Sequence, residues 1–497
     1  MYDFVILGSG LGGLICGYIL SKEGYKVCIV EKHYQIGGCL QTFERKGCVF
    51  DTGMHYVGSL DEGQILWKLF KYFDLLDKVK VKRLDNDCFD LIDIGGEEYK
   101  YAQGYENFTE TLLKYFPEEK AGITAYVQKL KEIRTSLSDT FKRTRDVDPM
   151  KNMVYFSINT YEYIRSITKN VKLQNVLAGL NSLYSGVPET NPLYVHAIIN
   201  NSLIESAWRF VDGGDQIASC FAESIEKNGG VILKNSEVKR LVMDANDQKL
   251  EYVELANKEQ IRGKNFISNI HPVKTFEMLK SKLIRKVFTN RINSIEHTIS
   301  VFSIYIVFKE NTFQYMNYNY HNYVDSNIWG VKFYDESKWP AGYMLYTPAS
   351  NDSDVFAKSM IVMTYLKFEE MKKWENTTVE HRGKEYKYLK QQKAELLLDL
   401  IEKKFPDIRS KIKTYYTSTP LTYRDYTGTV NGSIYGFMRD STNLAKTFIS
   451  QKTKVPNLSL TGQNISLHGV LGVSIGAIRT CTQFIDADKL FNEINNA

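Results

Sequence analysis

The sequence predicts an α/β protein: a parallel sheet assembled from separate stretches of the chain, with an inserted α+β part of mixed sheet and helices. Three observations predict it. Residues 3–7 are an apolar run ending in a glycine cluster, a helical pattern and a second apolar run follow at once, and strand, turn and apolar helix recur at 456–478. Strand, crossover helix and parallel strand in that order are the unit of parallel sheets. At 497 residues the chain can hold two to four domains of roughly 100–200 residues each.

Composition excludes several classes. Hydrophobic residues at 43% and charged residues at 24% are those of a soluble globular chain, neither disordered nor fibrous. Sixty-three Lys and Arg against 58 Asp and Glu leave +5, too little over this length to mark a nucleic-acid partner. The 33 Tyr, 26 Phe and 5 Trp suit a large apolar or unsaturated ligand, although AT-rich coding bias gives the same excess. Seven cysteines without a Cys-x-x-Cys pair, and eight histidines without a close ligand pair, point to a reducing compartment and no metal. No apolar run reaches the roughly 18 residues of a membrane span, and Asp3 leads straight into the first strand with no leader before it, so the expected location is cytoplasmic.

The N-terminal elements follow in order. Residues 3–7 are a buried strand, Gly8-Ser9-Gly10-Leu11-Gly12-Gly13 the turn, 14–22 a helix with Leu14, Ile15, Tyr18 and Ile19 on one face, and 26–31 the second strand. Gly8 permits the tight turn, Gly10 lets main chain approach a pyrophosphate at the helix N-terminus, and Gly13 lets helix and strand pack closely. Glu31, ending the second strand 18 residues after Gly13, is placed to accept from an adenosine ribose. These features make a Rossmann-type dinucleotide fingerprint. A second glycine pair, Gly37-Gly38, suits the longer FAD rather than a nicotinamide; taken alone it reads equally as a loop.

Further on, 228–233 and 236–241 are two strands, and Val238 stands where such folds hydrogen-bond adenine through the main chain, or is plain core. The strand 456–462 ends in a turn at Gly462, and the apolar helix 469–478, with Gly472 and Val473 in its first turns, aims its positive end at the cofactor. Residues 61–210 have a largely helical pattern. Ile65, Leu66, Leu69, Phe70, Phe73 and Leu76 share one face, with Lys68, Lys71 and Lys78 off it: either a core-packing helix or a basic amphipathic helix lying on a membrane surface. The stretch 384–404 is a second helix ended by Phe405-Pro406, and 298–308 and 359–366 are strands fit for the floor of an apolar tunnel. The expected domains are thus 1–60 with 211–275 and 455–497 for the cofactor, and 61–210 with 276–454 for the substrate.

Taken together, these motifs resemble the FAD-dependent amine oxidase and phytoene desaturase superfamily, and within it the retinol saturases. The resemblance is densest over 2–58, in Gly8–Gly13, Glu31-Lys32-His33, Gly37-Gly38-Cys39 and Phe50-Asp51-Thr52-Gly53-Met54-His55-Tyr56. It recurs at Val211–Gly214, Thr419–Thr422, Tyr426–Thr429, Gly432–Gly436 and Leu460–Gln463. It implies FAD contacts at Gly8, Gly10, Gly12, Gly13, Glu31, Lys32, Gly37, Gly38, Val238, Gly462, Gly472 and Val473, and hydride transfer from flavin N5 to a double bond of an isoprenoid polyene, a retinoid or carotenoid. Desaturation and cis–trans isomerisation are the related outcomes. Cys39 stands where amine oxidases carry Arg, which speaks against amine oxidation; Asn464 stands where an acid is common, so the flavin surroundings differ. A non-catalytic isoprenoid carrier of this fold would show eroded cofactor motifs, and here they are intact.

Saturating an alkene needs a proton donor beside the hydride site. His55, Tyr56, Tyr435 and His468 lie in or next to the flavin motifs and are the candidates, His55 first; each reads equally as a support or a wall. No second Gly-x-Gly-x-x-Gly and no Cys-x-x-x-x-Cys are present, so the electron source stays open between a transiently bound NAD(P)H, a ferredoxin-like partner and a quinone.

Overall fold

A computed structural model describes residues 1–139, 154–351 and 355–497. The first sheet is the α/β sheet the sequence predicts. Its strands run Val231–Leu233, Val27–Val30, Tyr2–Leu7, Gln260–Ser268 and Leu458–Leu460, all parallel. Both faces of the central strands are buried, which is why Val27–Val30 reads as an unbroken apolar run. Phe4 and Ile6 pack under the helices Leu11–Lys22, Asp215–Lys227 and Gly469–Cys481; Val5 and Leu7 pack on the other side with Val238, Leu241 and Val253. Those last residues belong to an antiparallel ribbon, Val238–Met243 with Leu250–Leu255, that extends the long strand Gln260–Ser268.

The first helix begins at Leu11, three residues before the expected start. The carbonyl of Gly10 already accepts the Leu14 N–H at 3.0 Å, so Gly12 and Gly13 sit in the first turn instead of preceding it.

The second sheet has seven strands in the order Ile412–Ser418, Ser300–Phe308, Ser359–Leu366, Gly342–Tyr346, Asn319–Tyr323, Asp90–Ile94 and Glu97–Tyr101. All neighbours are antiparallel except Asn319–Tyr323 with Asp90–Ile94. Ser300–Phe308 and Ser359–Leu366 are the two strands expected from their β-branched and aromatic content. The helix Gly383–Lys404 buries Ala394, Leu397, Leu398 and Ile401 against one face of this sheet.

The stretch 61–210 departs from a purely helical reading. It contributes Val81–Arg83, Asp90–Ile94, Glu97–Tyr101 and Ala207–Phe210 to sheets; these are only three to five residues long, and in Asp90–Ile94 the two acids fall on opposite faces, which hides the two-residue alternation that marks a strand. Its remaining helices form a layer beside the second sheet. The helix Ile65–Tyr72 buries Leu66, Leu69 and Phe70 in the core that also holds Leu490 and Phe491, so its apolar face packs inward, the core-packing one of the two expected arrangements. No helix among the described residues is long and apolar enough to cross a membrane.

Candidate active site

A cavity of about 920 Å³ starts at the carboxyl ends of the parallel strands and runs under the second sheet. It opens where the strand order reverses, with Val27–Val30 on one side of the first strand and Gln260–Ser268 on the other, the place where open α/β sheets bind ligands. Its volume lies at the upper end of the roughly 300–1,000 Å³ of ligand pockets, room for a long cofactor.

The cofactor end is built from main chain. Gly8, at φ +89°, turns the chain out of the first strand. A Cβ on Gly12 would stand 2.7 Å from Asn269 Oδ1 and 3.1 Å from the Gly462 nitrogen, and one on Gly38 would stand 3.1 Å from Gly10 Cα. Gly10 and Gly37 also pair as a parallel bridge. Three glycine turns therefore meet at the N-terminus of the first helix, packed too closely on one another and on Asn269 to admit a side chain, and line the cavity there as a main-chain cradle. This fits a pyrophosphate, whose charge the helix end stabilises.

Glu31 is buried there and accepts from Ser9 N at 2.9 Å, Ser9 Oγ at 2.7 Å and His33 N at 2.8 Å. Its own main chain is tied to Leu233 and Ser236. Lys32 reaches across to the Asp425 carbonyl at 2.9 Å, joining the cradle to the helix Pro420–Thr427. Glu31, Lys32, Gly8, Gly10, Gly12, Gly37, Gly38, Val238, Gly462, Gly472 and Val473 all line the cavity. Gly13 does not: its Cβ position is 2.1 Å from the Gly8 carbonyl oxygen, so it serves helix–strand packing. The Val211–Gly214 motif also lies off the cavity, where Gly214 N–H donates to Asp51 Oδ1 at 2.8 Å.

At the other end His55, Tyr56, Tyr435 and His468 come together on the cavity wall. His468 lies on the Tyr435 ring with centroids 4.2 Å apart, and its Nε2 bonds the Leu183 carbonyl at 2.8 Å. Burial holds both His55 and His468 down at about 4, so each ring is neutral at pH 7. His55 Nδ1 has Tyr346 Oη at 3.4 Å. Tyr435 Oη donates to the Ser182 carbonyl at 3.0 Å, and Tyr56 Oη to Asp90 Oδ2 at 2.7 Å. Burial, then the Asp90 charge, pushes the Tyr56 hydroxyl well up.

Sequence reasoning missed Ser182, His321 and Asp90, which complete this cluster. Ser182 Oγ is 3.0 Å from His321 Nδ1, and His321 Nε2 is 3.4 Å from Asp90 Oδ1. An acid and a histidine inside β-like stretches, Phe89–Ile94 and Asn319–Tyr323, are the traces they leave in the sequence. Cys39 faces the cavity, its thiol raised by burial. Asn464 Oδ1 accepts the Phe437 N–H at 3.0 Å and sits against Gly436, a brace for that turn.

Residues 6–73 match the NAD(P)-binding Rossmann-like domain family. All-trans-retinol 13,14-reductase of Danio rerio is 27% identical over 97% of this chain and 86% of its own length. The chain is similar along nearly its whole length to the all-trans-retinol 13,14-reductases. Further from these reductases, prolycopene isomerase 2 of an Oncidium hybrid cultivar is 23% identical over 88% of this chain and 75% of its own. Among solved structures, wild-type putrescine oxidase bound to putrescine superposes over 100% of this chain and 99% of its own with a TM-score of 0.65 at 12% identity, a likeness of fold.

Proposed function

We propose that the protein is an FAD-dependent oxidoreductase that saturates a carbon–carbon double bond of an isoprenoid polyene, a retinoid or a carotenoid. The observation that carries this reading is the continuity of one cavity from the glycine cradle to an aromatic pocket under the second sheet, in a chain similar throughout to retinol reductases. FAD would be held by Gly8, Gly10, Gly12, Glu31, Lys32, Gly37, Gly38, Val238, Gly462, Gly472 and Val473, and when bound it supplies hydride from N5. The protein's own work is to orient and to exclude water. Val301, Met363 and Tyr365 from the second sheet and Ile198 and Ile199 from the helical layer give the pocket apolar walls that order a flat polyene at little polar cost. The parts 1–60, 211–275 and 455–497 then form the cofactor domain, and 61–210 with 276–454 the substrate domain.

The likeness to prolycopene isomerase supports redox-neutral cis–trans isomerisation as the second reading. Amine oxidation is disfavoured by Cys39 in the place of the arginine. Electrons would come from a transiently bound NAD(P)H, a ferredoxin-like partner or a quinone, and the cytoplasm, where the seven free thiols stay reduced, is the proposed location. The test is a comparison on FAD-reconstituted protein: dithionite-reduced enzyme with all-trans-retinol, oxidised enzyme with a poly-cis carotene, and oxidised enzyme with primary amines assayed for hydrogen peroxide. Loss of retinol with gain of a dihydro product supports saturation; peroxide from amines with retinol untouched overturns it.

A further inference from the structure

Asp90 is fully buried, and each of its direct side-chain partners is a group that can be neutral: Tyr56 Oη at 2.7 Å, Asn319 Nδ2 at 2.7 Å and His321 Nε2 at 3.4 Å. The guanidinium of Arg209 reaches Asn319 Oδ1 rather than the carboxylate. A buried carboxylate without a facing cation is costly, and His321 is the partner on Asp90 able to become one. Beyond His321, Nδ1 meets Ser182 Oγ at 3.0 Å. Tyr56, His321 and Ser182 line the cavity, with Asp90 behind them.

Ser182 is fixed for this contact. Its carbonyl accepts from Tyr365 Oη at 2.9 Å and Tyr435 Oη at 3.0 Å, two cavity walls, which leaves Oγ to His321. The Ser182 hydroxyl is hydrogen-bonded to the imidazole, whose Nε2, without a hydrogen-bond partner of its own, lies 3.4 Å from the buried carboxylate; a proton held on that ring faces the Asp90 charge and can pass through the hydroxyl.

We propose that Asp90 and His321 are the proton store of the site and that Ser182 Oγ delivers the proton to the substrate carbon, an inference that rests on the polyene reading above. In the step, the Ser182 O–H bond breaks as a C–H bond forms. The electron pair comes from the π bond whose other carbon receives hydride from the reduced flavin; the alkene gains two electrons and the flavin loses two. Ser182 Oγ takes the Nδ1 proton of the doubly protonated His321 ring, which is left neutral with its Nε2 proton toward Asp90. Water recharges the pair after product leaves. Tyr56 is a positioning residue, holding Asp90. The other ionisable groups near His321 are His55, which burial keeps neutral, Tyr323 on its own strand, Tyr435 across the cavity, and Arg209, which acts through Asn319.

The first test needs no turnover. In oxidised, FAD-loaded protein with ¹⁵N-labelled histidine, the His321 ring signals, assigned with H321Q, should show protons on both nitrogens in wild type and on one in D90N. A singly protonated wild-type ring, or a ring whose signals D90N leaves unchanged, overturns the store. The second test follows single turnover of all-trans-retinol by the reduced enzyme in H₂O and D₂O. S182A should slow loss of the polyene band roughly 100-fold, with FAD content and melting temperature kept, and S182T should restore part of the rate. An unchanged rate in S182A overturns the Ser182 step. If wild-type protein leaves retinol intact, the substrate reading falls, and the histidine spectra still decide the store.

Discussion

Ser9 binds Glu31 twice across 22 residues, through its N–H at 2.9 Å and its hydroxyl at 2.7 Å, both to Oε2. The pair ties the glycine turn to the end of the second strand, so the acid shapes the cradle as well as facing it. Hydrogen bonds to a charged group contribute about 1.5–3 kcal/mol each. E31A should therefore lower both melting temperature and flavin bound per protein, and S9A should do so by less. Equal flavin content in E31A and wild type would remove Glu31 from the cofactor site.

Gly12 and Gly13 are neighbours with different duties. G12A puts a methyl 2.7 Å from Asn269 Oδ1, a side chain that can shift, and 3.1 Å from the Gly462 nitrogen on the cavity wall, so it should abolish FAD binding while the apoprotein still folds. G13A drives a methyl to 2.1 Å from the Gly8 carbonyl oxygen, and overpacking of this kind costs about 1–3 kcal/mol or more. Calorimetry of the two apoproteins separates them: a lower melting temperature is expected for G13A in particular.

The cradle was legible in the sequence because Gly8, Gly10, Gly13 and Glu31 lie within one βαβ unit, where spacing alone fixes geometry. Gly37 was legible as part of a second glycine pair soon after the acid strand, and Gly462 as the end of a short strand pattern. Asp90 and His321 were not. Their strands pair in parallel across 229 residues, as Asn319 with Asp90, and both carry polar side chains on both faces, Asp93 and Asn322 among them, so neither shows a two-residue rhythm. Tyr56 could be singled out from its motif, yet its partner could be found only by folding.

Acid should loosen the flavin-free protein. Burial lowers His55, His297 and His468 to about 4 and His196 and His271 to about 3, against 6.5 in the unfolded chain. Between pH 6.5 and about 4 the unfolded chain binds more protons at these rings, so their contribution to stability is present above pH 6.5 and is lost as pH falls. Asp51, raised to about 7 by burial, works the other way, contributing stability that is lost as pH rises toward 7. Five rings outweigh one carboxyl, and the urea midpoint should fall from pH 7 to pH 5. A flat or rising midpoint would contradict the neutral, buried state of these histidines.

Cys39 opens onto the cavity beside Gly38, while Cys16, Cys28, Cys48, Cys88 and Cys481 are buried in protein. A maleimide should label Cys39 in apoprotein, slowly because burial raises the thiol, and FAD should protect it. Mass spectrometry of tryptic peptides gives the answer; labelling that FAD leaves unchanged would move the flavin away from Gly37-Gly38.

Met363 lies on the pocket wall under the second sheet, away from the glycine cradle. M363W should fill the pocket, leaving FAD content intact and weakening retinol binding about tenfold or more. Quenching of protein fluorescence by retinol measures it, and equal affinity in M363W would place the polyene elsewhere.

The central claim is that one cavity carries hydride from flavin to a polyene double bond. The measurement that tests it most directly is anaerobic: the FAD-loaded protein is reduced chemically, mixed with all-trans-retinol, and followed at the flavin and polyene bands together. The account predicts that the flavin reoxidises as the polyene band shifts to shorter wavelength, one flavin for each double bond lost. A flavin that stays reduced beside an unchanged polyene, under conditions where retinol binds, would contradict it.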